Sequence, residues 1–529
     1  MKNLLLLVVL LTLTVNSVRS QQATQSGPKA PVKGFHLDLR IQVMTISALK
    51  DLAQKLQKQG INTLIMEWEA TYPFEKHPMI SNRYAYSRSD VTSFIAYCNS
   101  LGIDVIPLQQ SFGHVEYILR NPRYTALRED QKDYSQVCPI ESALNKALFT
   151  DLFTDLVATH SSPYFHIGGD ETYLLGHCPK CQAKVAKEGK SKLFVDHIRM
   201  LCDIVTSLGK RPVLWADIAL KHPEALSLLP KETILIDWNY GWAINRFGDP
   251  KKLVATGFEI WGAPSLRSHP DNYFLTQWEK HFKNIRDFVP TSRQMGYKGL
   301  VMTSWSTSGL YSPVFESSAD IVDLYAIRHV YPLTGFTMLL AAYGQSLKTT
   351  QPLNIQQFVE TYTQDTYGFT KDQAGQFWRA LTTAPYEVTQ GEVVSPKPMT
   401  IRTLLDSTRL AAKTLADLTP SRNKEEFEQY RLMTDVRVEY LTYQEIEKEV
   451  NAPSFTTAQI APMLTRLKTL IVASEKTSNR FITLNKASFH PAELEQETYW
   501  RTVKPRLLYE RLSKTKSRTP ADFPQNSGK

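Results

Sequence analysis

Residues 47–69 read SALKDLAQKLQKQGINTLIMEWE, and this stretch decides the fold. Leu49, Leu52, Ala53 and Leu56 share one face of a helix, Ser47 stands where an N-cap is expected, and Gly60 supplies the turn past the end. The apolar run at 61–66 is too short for a helix and reads as a buried strand, leading directly into Glu67, Trp68 and Glu69. The unit is therefore a helix ending at glycine, then a short strand ending in polar and aromatic side chains.

The unit recurs. Residues 89–101, Gly102 and the strand at 103–108 repeat it, as do residues 191–208, Gly209 and the strand at 211–215. Weaker copies lead to Gly257 with a strand at 258–260 and to Gly299 with a strand at 300–302. Strands at 34–37, at 164–167 after a helix over 142–159, and at 233–236 complete a set of eight. Strands alternating with helices call for parallel pairing. The expected class is α/β, a (β/α)8 TIM barrel over residues 33–345, within the usual size of that fold. A doubly wound sheet is the alternative, but no glycine-rich phosphate loop follows the first strand.

The flanks differ in character. Lys2 precedes an apolar stretch at 4–15 and the small-residue site Val18-Arg19-Ser20, the pattern of a secretory signal peptide over 1–20. Spanning a bilayer takes roughly 20 apolar residues, so a secreted or periplasmic protein without a stable membrane anchor is expected, an uncleaved signal anchor being the alternative. Residues 21–32 read as a linker. Beyond 345 the glycine–strand rhythm is lost, and helices at 404–418 and 424–450 flank a turn at Pro420-Ser421-Arg422-Asn423. Residues 346–515 are expected to form a helical C-terminal domain that packs on the barrel and shapes the pocket rim or a homodimer contact, with a tail at 516–529. The formal charge of +9 comes from basic residues interspersed with acidic ones, which does not describe a nucleic-acid surface.

Strand ends form the active face of a barrel, and here they are chemically unusual. The second strand leads to Glu67 and Glu69; the third to Gln109, Gln110, Phe112 and His114; the fourth to Gly168, Gly169, Asp170 and Glu171. Later strands lead to Trp215 and Asp217, to Asp237, Trp238 and Tyr240, to Trp261, and to Trp305. Aromatic faces suit the apolar faces of sugar rings, and carboxylates and amides suit sugar hydroxyls. A carbohydrate pocket is expected; tryptophans that merely cap the barrel core are the structural alternative. Two adjacent carboxyl groups in a closed pocket cannot ionise independently, so Asp170 and Glu171 together can hold a proton near neutral pH. Asp-Glu pairs also occur at helix N-termini for electrostatic reasons alone.

The segment His166-Ile-Gly-Gly-Asp-Glu171 resembles the signature of the family-20 glycoside hydrolases, the β-N-acetylhexosaminidases. The likeness continues through residues 34–40 (GFHLDLR), 66–69 (MEWE), 72–75 (YPFE), 84–86 (YAY) and 107–114 (PLQQSFGH), and is greatest to the hexosaminidase D branch. It implies a hydrolase acting with retention on terminal, non-reducing β-linked N-acetylglucosamine or N-acetylgalactosamine, the substrate's own acetamido oxygen serving as nucleophile. It further implies that Glu171 is the acid–base and that Asp170 holds the acetamido N–H. Many members place a tyrosine in an Asp-x-Tyr pattern on the seventh strand; this sequence lacks it there, and Tyr240 is the substitute. Arg40, Glu69, His114 and Glu316 are assigned to the sugar hydroxyls or to orienting the acid, and Trp215, Trp238, Trp261 and Trp305 to the pocket walls. A loop role for His114 and a helix cap for Glu316 are the alternatives. The expected partner is a glycan or glycoconjugate, and the hydrolysis needs no metal and no cofactor. A binding barrel without activity and a glycosidase with an enzyme nucleophile are the rival readings.

One motif stands outside this scheme. Cys178-Pro-Lys-Cys181 follows the carboxylate pair, with His177 adjacent and Cys138, His197 and Cys202 elsewhere; Cys98 reads as a small apolar residue on a helix face. The spacing suits a local fold element, a disulfide or a structural metal, and the sequence leaves these open.

Overall fold

Each short apolar run becomes a strand covered on both faces, as parallel pairing requires. The computed structural model describes residues 31–41, 43–268, 276–306 and 331–517. Its strands are β1 (Val32–Asp38), β2 (Thr63–Glu67), β3 (Asp104–Leu108), β4 (Tyr164–His166), β5 (Arg211–Trp215), β6 (Ile234–Trp238), β7 (Glu259–Ala263), β8 (Ser265–Arg267) and β9 (Gly299–Ser304). The order is β1-β2-β3-β4-β5-β6-β7-β9, and β9 returns to pair with β1, closing an eight-stranded parallel barrel. Closure runs from Val32 opposite Gly299 to Phe35 opposite Met302, while β1 meets β2 further along, from Gly34 opposite Thr63 to Asp38 opposite Glu67. β8 is additional to the eight strands that the sequence predicts. β8 carries on the line of β7 against β9 beyond Pro264, whose missing N–H interrupts the ladder.

The helix-to-glycine units form as expected, with two corrections: the glycine past the helix Trp278–Gln294 is Gly296 (φ 83°), whereas Gly299 is the first residue of β9, and one N-cap differs. The first helix is Ile46–Lys58, and its N-cap is Thr45 rather than Ser47: the Thr45 hydroxyl accepts from the Ala48 N–H at 3.2 Å. Ser87 caps Arg88–Ser100 through a reciprocal bond with Asp90. Gly60, Gly102 and Gly209, just past three such helices, have φ of 83°, 73° and 73°, the left-handed conformation that turns the chain into the next strand.

Beyond the barrel come helices Thr337–Lys348, Ile355–Tyr367, Lys371–Thr382, Ile401–Asp417, Lys424–Val450, Ile460–Asn485 and Pro491–Ser517. A small hairpin, β10 (Glu387–Thr389) with β11 (Glu392–Val394), interrupts them; its turn residues Gln390 and Gly391 both have positive φ. These helices share the barrel's compact unit. Trp278 meets Tyr430 at 5.6 Å, Phe282 meets Trp378 at 5.2 Å, and Met44 bridges to Phe489. The expected leader at 1–20, most of the linker and tail, and Glu316 lie outside the described residues. Among the described residues, no helix is long and apolar enough to cross a membrane.

Closure depends on a small residue. A Cβ at Gly299 would lie 2.7 Å from Trp261 Cδ1 and 2.9 Å from Val32 Cβ. Gly299→Ala should therefore destabilise the protein by about 1–3 kcal/mol through overpacking. A thermal melt checks this, and an unchanged Tm would show that the seam between β7, β9 and β1 is looser than described.

Candidate active site

Side chains alternate across a strand, so every second residue points into the barrel. The interior is filled by Ile65, Ile106, Leu108, Val213, Trp215, Ile234, Ile236, Trp238, Trp261, Ala263 and Val301. Following the same parity to the C-terminal ends reaches His36, Asp38 and Arg40 from β1, Glu67 and Glu69 from β2, Gln110 from β3, Asp217 from β5, and Tyr240 and Trp305 from β6 and β9. Trp68 has the opposite parity: it packs outside the barrel against Tyr86, Phe94 and His160. Asp237 likewise faces away and accepts from Tyr297 Oη at 2.6 Å.

The first and second strands contribute a buried ionic web. Arg40 donates from Nε to Glu69 Oε1 and from Nη2 to Glu67 Oε1, each at 3.0 Å, and its backbone N–H donates to Asp38 Oδ1 at 2.7 Å. Glu67 also bonds His36 Nε2 at 2.8 Å and accepts from Gln110 Nε2 at 3.1 Å. Burial alone would raise the Glu67 pKa, but the His36 bond, the Arg40 charge and the Gln110 bond outweigh it and hold Glu67 well below the usual carboxylate range. Glu69 goes the other way. Burial pushes it well above its ordinary value against the pull of Arg40, and the Glu67 and Asp38 charges add to the push.

The second group comes from the third and fourth strand ends. His114 Nε2 lies 3.5 Å from Asp170 Oδ2 and 3.3 Å from Glu171 Oε2. Two glycines permit the approach. A Cβ on Gly168 would stand 2.0 Å from Gln110 Oε1, and one on Gly113 would stand 2.6 Å from the Asp170 carbonyl oxygen. Among the described non-glycine residues only six have positive φ, and Glu69 (48°), His114 (55°) and Glu171 (48°) are three of them. Strained backbone is thus concentrated at the residues that carry charge into the pocket.

Burial pushes Asp170 up to about 7, with His114 pulling down and Asp217 and Glu171 pushing up. Burial opposes ionisation of Glu171 too, but the His114 contact and a 2.8 Å hydrogen bond from Tyr173 Oη outweigh it and lower its pKa. His114 is raised to about 9: burial disfavours its cation, and the Asp170 and Glu171 contacts more than restore it. Asp217, pushed up to about 6 by burial, accepts from the Glu171 backbone N–H at 3.3 Å. Of the two oxygens of Asp170, the buried Oδ1 has no hydrogen-bond partner among the described residues, and the same is true of Glu69 Oε2.

Aromatic side chains complete the site. Trp305 packs on His36 at 4.6 Å and Trp215 at 5.7 Å, and its Nε1 donates to Tyr240 Oη at 2.8 Å. Trp238 lies 5.1 Å from Tyr240, with its Nε1 3.4 Å from Asp217 Oδ1. Trp215 lies below them, 4.5 Å from His166, and fills the barrel under the pocket. Trp261 is a correction: it is not a pocket wall. It meets Tyr164, the first residue of β4, at 5.6 Å and stands opposite Gly299, the first residue of β9, so it plugs the N-terminal half. β7 runs on to Ala263, which moves the strand end past this tryptophan.

Sequence reasoning assigned Arg40, Glu69, His114, Asp170, Glu171, Trp238, Tyr240 and Trp305 to one site, and the structure gathers them at the strand ends, with Trp215, expected as a wall, beneath them. The same reasoning missed His36, Asp38 and Glu67 as one ionic unit with Arg40. The signal was available: polar residues at 36, 38 and 40 share one face of an otherwise apolar strand. Removing the cation from this web takes away the hydrogen bond to buried Glu69 and leaves Glu67 with His36 and Gln110 alone. Arg40→Met should cost about 3–5 kcal/mol, read as a fall in Tm, whereas Arg40→Lys should lose less. Equal stability of parent and Arg40→Met would show that the carboxylates neutralise themselves by protonation.

Comparison with known proteins finds similar chains by sequence and by structure. Hexosaminidase D of Bos taurus is 25% identical over 298 residues, covering 53% of this chain and 86% of that protein. Hexosaminidase D of Homo sapiens is 27% identical over 305 residues; the match covers 53% of this chain and only 61% of the human protein. The crystal structure of a beta-N-acetylhexosaminidase from Bacteroides fragilis NCTC 9343 superimposes with a TM-score of 0.48 at 18% identity, covering 64% of this chain and 70% of that one. Residues 39–310, which include Asp170, Glu171 and their surroundings, match the family described as Glycosyl hydrolase family 20, catalytic domain. By that match, which spans half of its length, the chain belongs to glycosyl hydrolase family 20.

Proposed function

We propose that this protein is an exo-acting β-N-acetylhexosaminidase that releases terminal β-linked N-acetylglucosamine or N-acetylgalactosamine with retention, by substrate-assisted catalysis. The observation that carries the reading is the buried Oδ1 of Asp170, without a partner among the described residues, next to the partly exposed carboxylate of Glu171. A buried acceptor without a donor is costly, and an acetamido N–H would satisfy it. Asp170 then orients the acetamido carbonyl toward the anomeric carbon and stabilises the positive charge of the oxazolinium. Tyr240 accepts from Trp305 and keeps its own proton, which suits it to donate to the acetamido oxygen.

Glu171 protonates the leaving oxygen and afterwards activates water. In the free protein the proton of the pair rests on Asp170, because Asp170 is buried and Glu171 is held ionised by His114 and Tyr173. Substrate reverses this. An N–H at Asp170 favours its anion, and exclusion of water around Glu171 favours the neutral acid. Trp215 and His166 fill the barrel below, so a sugar entering from the C-terminal face meets a closed floor, which favours a chain end over a chain interior. Export through the leader at 1–20 belongs to the same proposal.

The test compares 4-nitrophenyl β-N-acetylglucosaminide, β-N-acetylgalactosaminide and plain β-glucoside. Turnover of either acetamido substrate without the glucoside is expected; equal turnover of the glucoside would replace the substrate nucleophile with an enzyme carboxylate, and a folded protein inert to all three would favour a binding barrel. Glu171→Gln should lower kcat by about 10²–10⁴-fold on an oligosaccharide with a poor leaving group, and less on the nitrophenyl glycoside. The pH dependence has a definite sign. One shared carboxylate proton is needed, so kcat/KM should fall as pH rises through about 7, where Asp170 loses it. The His114 cation lowers that pKa, and its removal in His114→Asn should shift the alkaline limb upward; a limb that stays in place would dissociate His114 from the pair.

A further inference from the structure

The Cys-x-x-Cys motif does not stand alone in space. Glu129 and Cys138 lie on a short two-stranded ribbon, where Glu129 N–H donates to the Gln136 carbonyl at 3.1 Å and Cys138 N–H to the Leu127 carbonyl at 2.7 Å. Cys178 is the N-cap of the helix Pro179–Glu188, and Cys181 lies in its first turn. The three sulfurs and a Glu129 oxygen all fall within 4.8 Å of one another. Cys138 Sγ is 3.6 Å from Cys178 Sγ and 3.6 Å from Cys181 Sγ, and Cys181 Sγ is 3.2 Å from Glu129 Oε2.

We propose that Glu129, Cys138, Cys178 and Cys181 bind a zinc ion that clips the loop after β3 to the loop after β4. A tetrahedral zinc with Zn–S of about 2.3 Å sets its sulfurs about 3.8 Å apart, close to the observed pair of 3.6 Å separations. A disulfide needs about 2.05 Å, and Cys138 stands equally near two sulfurs, of which it can pair with only one. Cys138, Cys181 and Glu129 are buried, so four potential anions share a space that a cation would neutralise. The surroundings suit anionic ligands: Cys181 N–H donates to Cys178 Sγ at 3.4 Å, and Cys178 N–H donates to the Glu129 carboxylate at Oε1 at 2.7 Å. The other candidate ligands are engaged elsewhere. His177 pairs with Asp130 at 2.7 Å, His197 bonds the Ser111 carbonyl at 2.9 Å, and Cys202 lies by Thr233.

All four donors come from the protein, which marks a structural centre rather than one that activates water. Its function is to position the pocket loops. The clip is continuous with them: Val137 N–H donates to the Phe112 carbonyl at 3.1 Å, two residues from His114. Gln136 Oε1 accepts from the Leu174 N–H at 3.0 Å, three residues from Glu171.

The full chain is purified without chelator and its metal measured by mass spectrometry; about one zinc per chain is expected. Cys138→Ser and Cys181→Ser should lose it, while Cys202→Ser keeps it. Should the first two variants fail to fold, wild type stripped with dipicolinate and titrated with zinc chloride supplies the answer through its Tm, which should rise by several degrees. Hydrogen exchange at 109–141 and 168–178 should quicken on stripping, with Ile460–Asn485 unchanged. A native disulfide among these cysteines without metal, or free thiols with no zinc uptake and no change in Tm under excess zinc, overturns the proposal.

Discussion

Pairing of β1 with β9 is the constraint from which the rest of the structure follows. Four residue pairs, Val32 to Phe35 against Gly299 to Met302, turn an open row of parallel strands into a cylinder. An open sheet would leave edge strands with unpaired N–H and C=O groups, and it would spread the strand ends over a wide edge. Closure gathers residues separated by more than two hundred positions in sequence. Ser306 N–H, for example, donates to Asp38 Oδ2 at 3.1 Å, and Ile41 N–H donates to Ser306 Oγ at 3.1 Å. The seam also tolerates little volume, since Gly34 and Gly299 both stand where a Cβ would meet neighbouring side chains.

On that ring two electrostatic groups are kept distinct. Arg40 with His36 holds Glu67 ionised, whereas Glu69 in the same web is pushed toward its neutral form. Across the pocket, His114 faces two carboxylates that diverge in the same manner, Asp170 raised and Glu171 lowered. Burial is the common cause, and partner count decides which way each group moves. Glu67 has three hydrogen-bonding neighbours to stabilise its charge, while one oxygen of Asp170 has no partner among the described residues. Of the two neighbouring carboxyl groups, Asp170 is therefore the one more readily protonated.

The loops that carry these groups are held from behind. His197 supports the Ser111 carbonyl and packs on Phe112 at 4.3 Å, and the cysteine–glutamate cluster ties residues 127–138 to the helix after Glu171. The C-terminal region serves another flank: Thr45 N–H donates to the Ser488 carbonyl, in the turn before the last helix, at 2.9 Å, and Tyr331 Oη donates to Gln429 Oε1 of the helix Lys424–Val450 at 2.9 Å. The helix at 401–417 follows the apolar periodicity read from the sequence, because an amphipathic helix of that length buries one face whatever its partner; Lys424–Val450 instead is covered all round over Tyr443 to Glu447.

Local signals made the barrel legible. Glycine after an amphipathic helix and a short apolar run depend on a few neighbouring residues, so the sequence located eight strands to within a few positions. The same locality failed where the answer depended on distant atoms. Trp261 has the right parity for the pocket but the wrong depth, since only the register of β7 against β9 shows how far its strand continues. The spacing of Cys178 and Cys181 leaves their role open, and only the fold brings Glu129 and Cys138 to them from another loop. By itself, then, the sequence determined the alternation of helices and strands, the family motif at Asp170 and Glu171, and the residue types available at the strand ends. The tertiary structure alone decided which of them meet, at what depth and with what charge, because register, burial and pKa are set by neighbours remote along the chain.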